Sequence, residues 1–123
     1  MTRLEPNVEV VSALAEGEGR FAVVLLIRHR ADAEYTAWID AVLPRLSQVG
    51  ARIVWVGNGA EPIVGEPSRR WDSIVVVEFP SRDAFLDLVQ ASGWNRVEGL
   101  RVAGMDQNEI YGCVPVVNAV HDD

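Results

Sequence analysis

Two stretches constrain the fold more than any other part of the chain: "FAVVLLIRHR", residues 21–30, and "WDSIVVVEF", residues 71–79. Both are apolar runs rich in β-branched residues, bounded by glycine or turn residues, and both read as strands. Successive side chains of a strand point to opposite faces. Val23, Leu25 and Ile27 therefore oppose Val24 and Leu26, and Val75 and Val77 oppose Ile74 and Val76. Helices laid on one face of a sheet can bury only one of these sets. At roughly 25 cal/mol per Å² of apolar area, leaving the other set wet would cost several kcal/mol. A second copy of the chain is the simplest cover, so the pattern predicts a homodimer packed sheet to sheet.

The segments between these strands alternate in period. Residues 7–16 read as a short N-terminal helix with Asn7 as its cap and Val8, Val11, Leu14 and Ala15 on one face. Asp32 is placed to cap a second helix, in which Tyr35, Trp38, Ile39, Val42, Leu43, Leu46 and Val49 recur at helical spacing up to Gly50. Pro44 should bend it. "ARIVWVG" is a second strand, "PIV" within residues 62–64 a short extended piece, and Ser81 the cap of a third helix through "RDAFLDLVQAS". "WNRVEGLRVAGM" suggests a short irregular helix and "EIYGCVPVV" the fourth strand. Strand–helix–strand twice over, with the middle strands joined as a hairpin, is the ferredoxin-like split βαβ pattern of the α+β class: a four-stranded antiparallel sheet with helices on one face. Residues 1–123 are expected to form a single domain, with 118–123 a loose tail.

Composition narrows the function classes. The chain has 123 residues and a net charge of −7, a balance that disfavours nucleic acid and anionic lipid as partners. All 11 basic residues are arginine, which removes lysine-dependent Schiff-base chemistry and phosphate-loop binding. Cys113 is the single cysteine, and the histidines are His29 and His121, so a zinc site is not expected. The apolar run from Phe21 to Ile27 is too short to span a bilayer, and the N-terminus lacks a secretory pattern; the expected location is the cytoplasm. "GEGRFA" at 17–22 spells a dinucleotide motif but precedes a strand, where no helix terminus could receive a pyrophosphate.

Several polar groups stand at strand ends. Arg28 and Arg30 point to one side of the first strand and His29 to the other, while Glu78 ends the third strand on the face of Ile74 and Val76. An arginine can clamp a carboxylate in bidentate fashion, and a histidine or glutamate can move a proton. Each has a plainer alternative: ion pairing for Arg28 and Arg30, a solvent-facing strand end for Glu78 and His29, and packing for Tyr35, Trp38, Trp55, Trp71 and Trp94. Asp72 could pair with Arg69 or Arg70.

The segments "FAVVLLIRHRADAEYTAW", "VGARIVWVG", "IVGEP", "WDSIVVVEFPSRDAF" and "GLRVAGMDQ" resemble, in order, the domain-of-unknown-function family "thirteen-thirty" of the dimeric α/β-barrel superfamily. The resemblance covers nearly the whole chain and is most specific from Trp71 to Phe85. Where the family has an asparagine, a tyrosine and a histidine, this chain has Leu25, Trp38 and Leu100, while Tyr35 and Arg101 are kept. It implies a ferredoxin-like fold and a homodimer and no particular reaction; related superfamily members include cofactor-free monooxygenases and isomerising enzymes. The expectation is a pocket between sheet and helices for a small aromatic or carboxylate-bearing metabolite, with no cofactor or metal. Arg28 or Arg101 would orient the ligand, Glu78 or His29 would handle protons, and Tyr35 and Trp38 would wall the pocket. Cofactor-free oxygenation or isomerisation is the expected class; the alternative is a non-catalytic binding or pathway accessory protein.

Overall fold

The structure is a computed structural model describing residues 5–15, 17, 19–30 and 33–116. Its elements run α1 (Val8–Ala15), β1 (Phe21–His29), α2 (Ala33–Gln48), β2 (Arg52–Ala60), β3 (Trp71–Phe79), α3 (Arg82–Val89), α4 (Trp94–Gly104) and β4 (Met105–Cys113). The strands form one sheet in the order β2-β3-β1-β4, with every neighbouring pair antiparallel. This is the ferredoxin-like topology that the alternation of elements predicts.

Register settles which residues share a face. Phe21 lies opposite Phe79, Val23 opposite Val77 and Leu25 opposite Val75, so the odd-numbered residues of both central strands face the helices. There Phe21, Val23, Val77 and Phe79 pack with Leu46 of α2 and with Ala84 and Leu88 of α3. Phe85 adds an edge-on ring 5.5 Å from Phe79. A second cluster joins Ile27 and Met105 to Trp38 of α2 and Val97 of α4. The opposite face carries Val24, Leu26, Ile74 and Val76, all half-buried, with Trp55 opposite Val76 and Tyr111 opposite Val24. Trp55 and Tyr111 are 55% and 56% exposed. Among the described residues no helix roofs this side, which is the apolar face that the strand pattern left over.

Local chemistry explains most boundaries. Ser81 caps α3 by accepting from the Ala84 N–H at 3.1 Å. Gly50, at φ +77°, ends the turn after α2, where the Ala51 N–H reaches back to the Leu46 carbonyl at 2.9 Å. Gly104 lets the end of α4 pack tightly against the start of α2: a Cβ there would lie 2.8 Å from the Tyr35 backbone nitrogen and Cα.

Four local expectations change. α4 is a regular helix of 11 residues, because Trp94, Val97 and Leu100 pack into the core and sustain it. β4 starts at Met105 and ends at Cys113, set by its pairing with residues 22–29 of β1; Val114 and Val116 follow it exposed. "PIV" forms no strand, and Ile63 and Val64 stand almost wholly in solvent. Val8 is largely exposed on α1, so it does not anchor that helix. The proposed Asp32 cap and the tail at 118–123 lie outside the described residues. Among the described residues no helix is long and apolar enough to cross a membrane.

Candidate functional site

Because β1 and β3 run antiparallel with Ile27 opposite Ser73, the end of β1 and the start of β3 meet at one edge of the molecule. Arg28 and His29 leave β1 there; Trp71 and Asp72 enter β3 there. β2 delivers Asn58 opposite Ser73, and α2 begins above them, bringing Tyr35 and Trp38. Contacts sort these groups into two sets, one about His29 and one about Arg28; Asp72 reaches to His29 and Trp71 to Arg28, so the first two residues of β3 do not follow the alternation that holds from Ser73 to Phe79.

Around His29, Asp72 Oδ2 accepts the backbone N–H at 3.0 Å and lies 4.0 Å from the ring Nε2. His29 Nδ1 is 3.1 Å from the Arg30 carbonyl oxygen. The imidazole stacks on Tyr35 with centroids 4.2 Å apart and planes inclined by 16°. Tyr35 hydrogen-bonds Ser73, whose hydroxyl donates to Asn58 Oδ1 at 3.0 Å. Burial raises the Tyr35 phenol above its ordinary pKa; the Ser73 bond opposes the rise and the Asp72 charge adds to it. Trp38 stands behind, 6.0 Å from Tyr35, buried against Ile27, Val97 and Met105.

On the open side, Arg28 binds main chain. Its Nε donates to the Arg70 carbonyl at 3.1 Å and its Nη2 to the Ser68 carbonyl at 3.1 Å. This fastens the β2–β3 connection to β1 and sets the guanidinium 5.8 Å from the centre of the Trp71 ring. Arg69 pairs with Glu109 at 2.9 Å, and the Tyr111 hydroxyl donates to the other oxygen of that carboxylate at 2.6 Å. Between these groups is a cavity of about 350 Å³, lined by Arg28, Ser68, Arg69, Trp71, Gln107 and Glu109.

The remaining candidates lie elsewhere. Glu78 faces the open side at the opposite end of the sheet, across from Ala22 and Arg52, and is only 4% exposed. It borders a second cavity of about 250 Å³ with Arg20, Gly50, Arg52 and Pro80. From Ala22 to His29 is seven positions of β1, about 23 Å at ~3.3 Å per residue, so Glu78 and His29 cannot serve one small ligand within a protomer. Arg101 is buried beneath α4, where its Nε and Nη2 hold both oxygens of Glu98 at 3.0 Å and its Nη1 donates to Asn108 Oδ1 at 2.8 Å. Asn108 in turn donates to the Leu26 carbonyl at 2.9 Å. That chain ties α4 to the two strands beneath it.

The structure thus gathers His29, Tyr35 and Trp38, puts Arg28 on the other side of the same sheet end, and leaves Glu78 and Arg101 apart. An arginine, an aromatic ring and a carboxylate do line one cavity, but they are Arg28, Trp71 and Glu109, and that cavity opens away from the helices. Asp72 serves His29, and Arg69 serves Glu109, in place of the Asp72–arginine pair expected. Sequence reasoning passed over Ser73, Asn58 and Glu109 as site residues. Their signal is a register one, visible only once Ser73 is known to sit opposite Ile27 and Asn58.

Residues 20–111 match the family model described as domain of unknown function DUF1330. No curated protein matches the sequence. Among solved structures, a protein of unknown function from Rhodopseudomonas palustris superposes with a TM-score of 0.87 at 20% identity, covering 96% of this chain and 100% of its own. A ferredoxin-like protein of the dabb family from Mesorhizobium loti gives 0.55 at 13% identity over 80% of this chain and 99% of its own. SnoaB from Streptomyces nogalater, described as a cofactor-independent oxygenase, gives 0.53 at 14% identity over 83% and 96%. At these identities the likeness is one of fold.

Proposed function

The chain belongs to the DUF1330 family, and we propose that it is a homodimeric binding protein for a small, carboxylate-bearing aromatic metabolite. The observation that carries this reading is the cavity of about 350 Å³ where Arg28, Arg69 and Trp71 converge. Ligand pockets span about 300–1,000 Å³, so a cavity at the low end suits a single-ring compound. Arg69 commits one nitrogen, Nη2, to Glu109, leaving the other edge of its guanidinium to receive a carboxylate among the described residues. Trp71 offers apolar ring surface beside it. The cavity opens on the face of Val24, Leu26, Ile74 and Val76, so a second copy seated on that apolar stripe would also shield the ligand from water.

Isothermal titration calorimetry with benzoate, phenylacetate and 4-hydroxybenzoate tests the binding. The acids are expected to bind and benzyl alcohol, which lacks the charge, to bind at least about tenfold more weakly, as loss of a charge-assisted hydrogen bond predicts. Arg69→Gln should erase that preference. Equal binding of acid and alcohol, or binding of neither, refutes the proposal.

A second reading is cofactor-free catalysis by isomerisation or oxygenation, favoured by the stacked His29 with Asp72 beside its ring. The shared fold with SnoaB supports it at the level of architecture. In this reading His29 moves the proton, Tyr35 and Trp38 form the wall behind it, and Glu78 stays outside the reaction site.

A further inference from the structure

His29 is held in one orientation by three independent contacts, and together they fix what its ring can do. The Arg30 carbonyl oxygen lies 3.1 Å from Nδ1, and a carbonyl only accepts. The neutral ring therefore carries its hydrogen on Nδ1, and Nε2 keeps its lone pair. Nε2 in turn lies 4.0 Å from the Asp72 carboxylate, which sets a negative charge beside the ring. Asp72 is itself positioned by accepting the His29 backbone N–H at 3.0 Å, so the carboxylate cannot drift from the ring it serves. Tyr35 supports the imidazole from below, 4.2 Å away and nearly parallel. The His29 side chain is 31% exposed, which leaves its edge open to a ligand. A structural histidine at a strand end needs none of this arrangement.

We infer that His29 is the general base of a keto–enol tautomerisation acting on small enolisable carbonyl compounds, with Asp72 its positioning residue; this narrows the catalytic reading above and rests on it. The step balances without a co-reactant. Nε2 takes a proton from the carbon next to the carbonyl, the C–H electron pair becomes the C=C bond of the enolate, and the carbonyl π pair moves to oxygen. Asp72 offsets the imidazolium charge while it lasts. The same proton then passes from Nε2 to the enolate oxygen, giving the enol and restoring neutral His29.

Phenylpyruvate in D2O is a suitable probe, since it joins an aromatic ring, a carboxylate and an enolisable carbon. Proton NMR reads exchange at that carbon, and calorimetry on the same samples reads binding. The full chain should exchange the probe faster than free imidazole at equal concentration. His29→Asn should lower the rate at least ~100-fold, the usual share of a general base. Asp72→Asn, which still accepts the His29 N–H, should lower it about tenfold through loss of the charge alone. Exchange no faster than with imidazole overturns the inference; calorimetry then shows separately whether the metabolite-binding proposal survives. Nitrogen-15 NMR of the wild-type imidazole adds a readout that needs no ligand and no variant: hydrogen on Nδ1 in the neutral ring is expected, and hydrogen on Nε2 refutes the assignment.

Discussion

At neutral pH the Tyr35 phenol is neutral and half-buried, linked to Ser73 and resting under His29. Its raised pKa has a consequence for stability whose sign follows from linkage. The folded state keeps this proton to higher pH than the unfolded chain does, where the phenol titrates near 10.0. Above that value the unfolded state binds fewer protons, so stability falls as pH rises through the folded pKa. Tyr35→Phe should therefore lose stability less steeply than the wild type in urea melts above about pH 10, with little difference in slope between pH 6 and 9. Parallel curves over the whole range would show that Tyr35 does not titrate differently in the two states. Arg101 carries another lesson at this scale. The family resemblance sets it among the residues to orient a ligand. Burial at 5% exposure instead requires its charge to be met by Glu98 and Asn108.

The elements are held together by close approaches that a sequence does not advertise. α2 and α4 touch where Gly104 meets the Tyr35 backbone, at the same residue whose ring stacks on His29. Gly104→Ala places a methyl carbon against main chain, which cannot swing aside as a side chain can. A loss of about 1–3 kcal/mol in chemical denaturation is expected, in the range of overpacked cores. The same variant should shift the His29 ring signals in NMR, because Tyr35 moves with α2; unchanged stability would mean that α4 can retreat freely. Boundaries set by local chemistry are legible from residues alone: Ser81 before "RDAF" announces the start of α3, and Gly50 the end of α2. β4 was legible only in part, because Met105 and Gln107 join the strand by pairing with β1 rather than by any strand pattern of their own.

For the molecule as a whole, the open face is the dominant physical fact. Leu26 and Val76 sit near its centre, and Trp55 and Tyr111 carry the apolar surface outward. Stable interfaces bury about 800 Å² per partner, an area that one face of a four-stranded sheet can provide. Sedimentation velocity should find the wild type dimeric at micromolar concentration and Leu26→Asp monomeric with its helical circular dichroism kept. A wild-type monomer would remove the dimer and the shielding that the Arg28–Trp71 cavity draws from it. What the sequence determined by itself is the alternation within each strand, the order of strands and helices, and so an α+β sheet with one covered and one uncovered apolar face. These are local, period-two and period-3.6 properties, written in residues that are near neighbours in the chain. Tertiary structure alone decided that Asp72 and Ser73 meet His29 and Tyr35, that Arg28 serves the other side, and that Glu78 lies a full strand length away. The reason is register: pairing joins residues some 45 positions apart, as Ile27 with Ser73, and a slip of one residue would turn every one of those side chains to the opposite face.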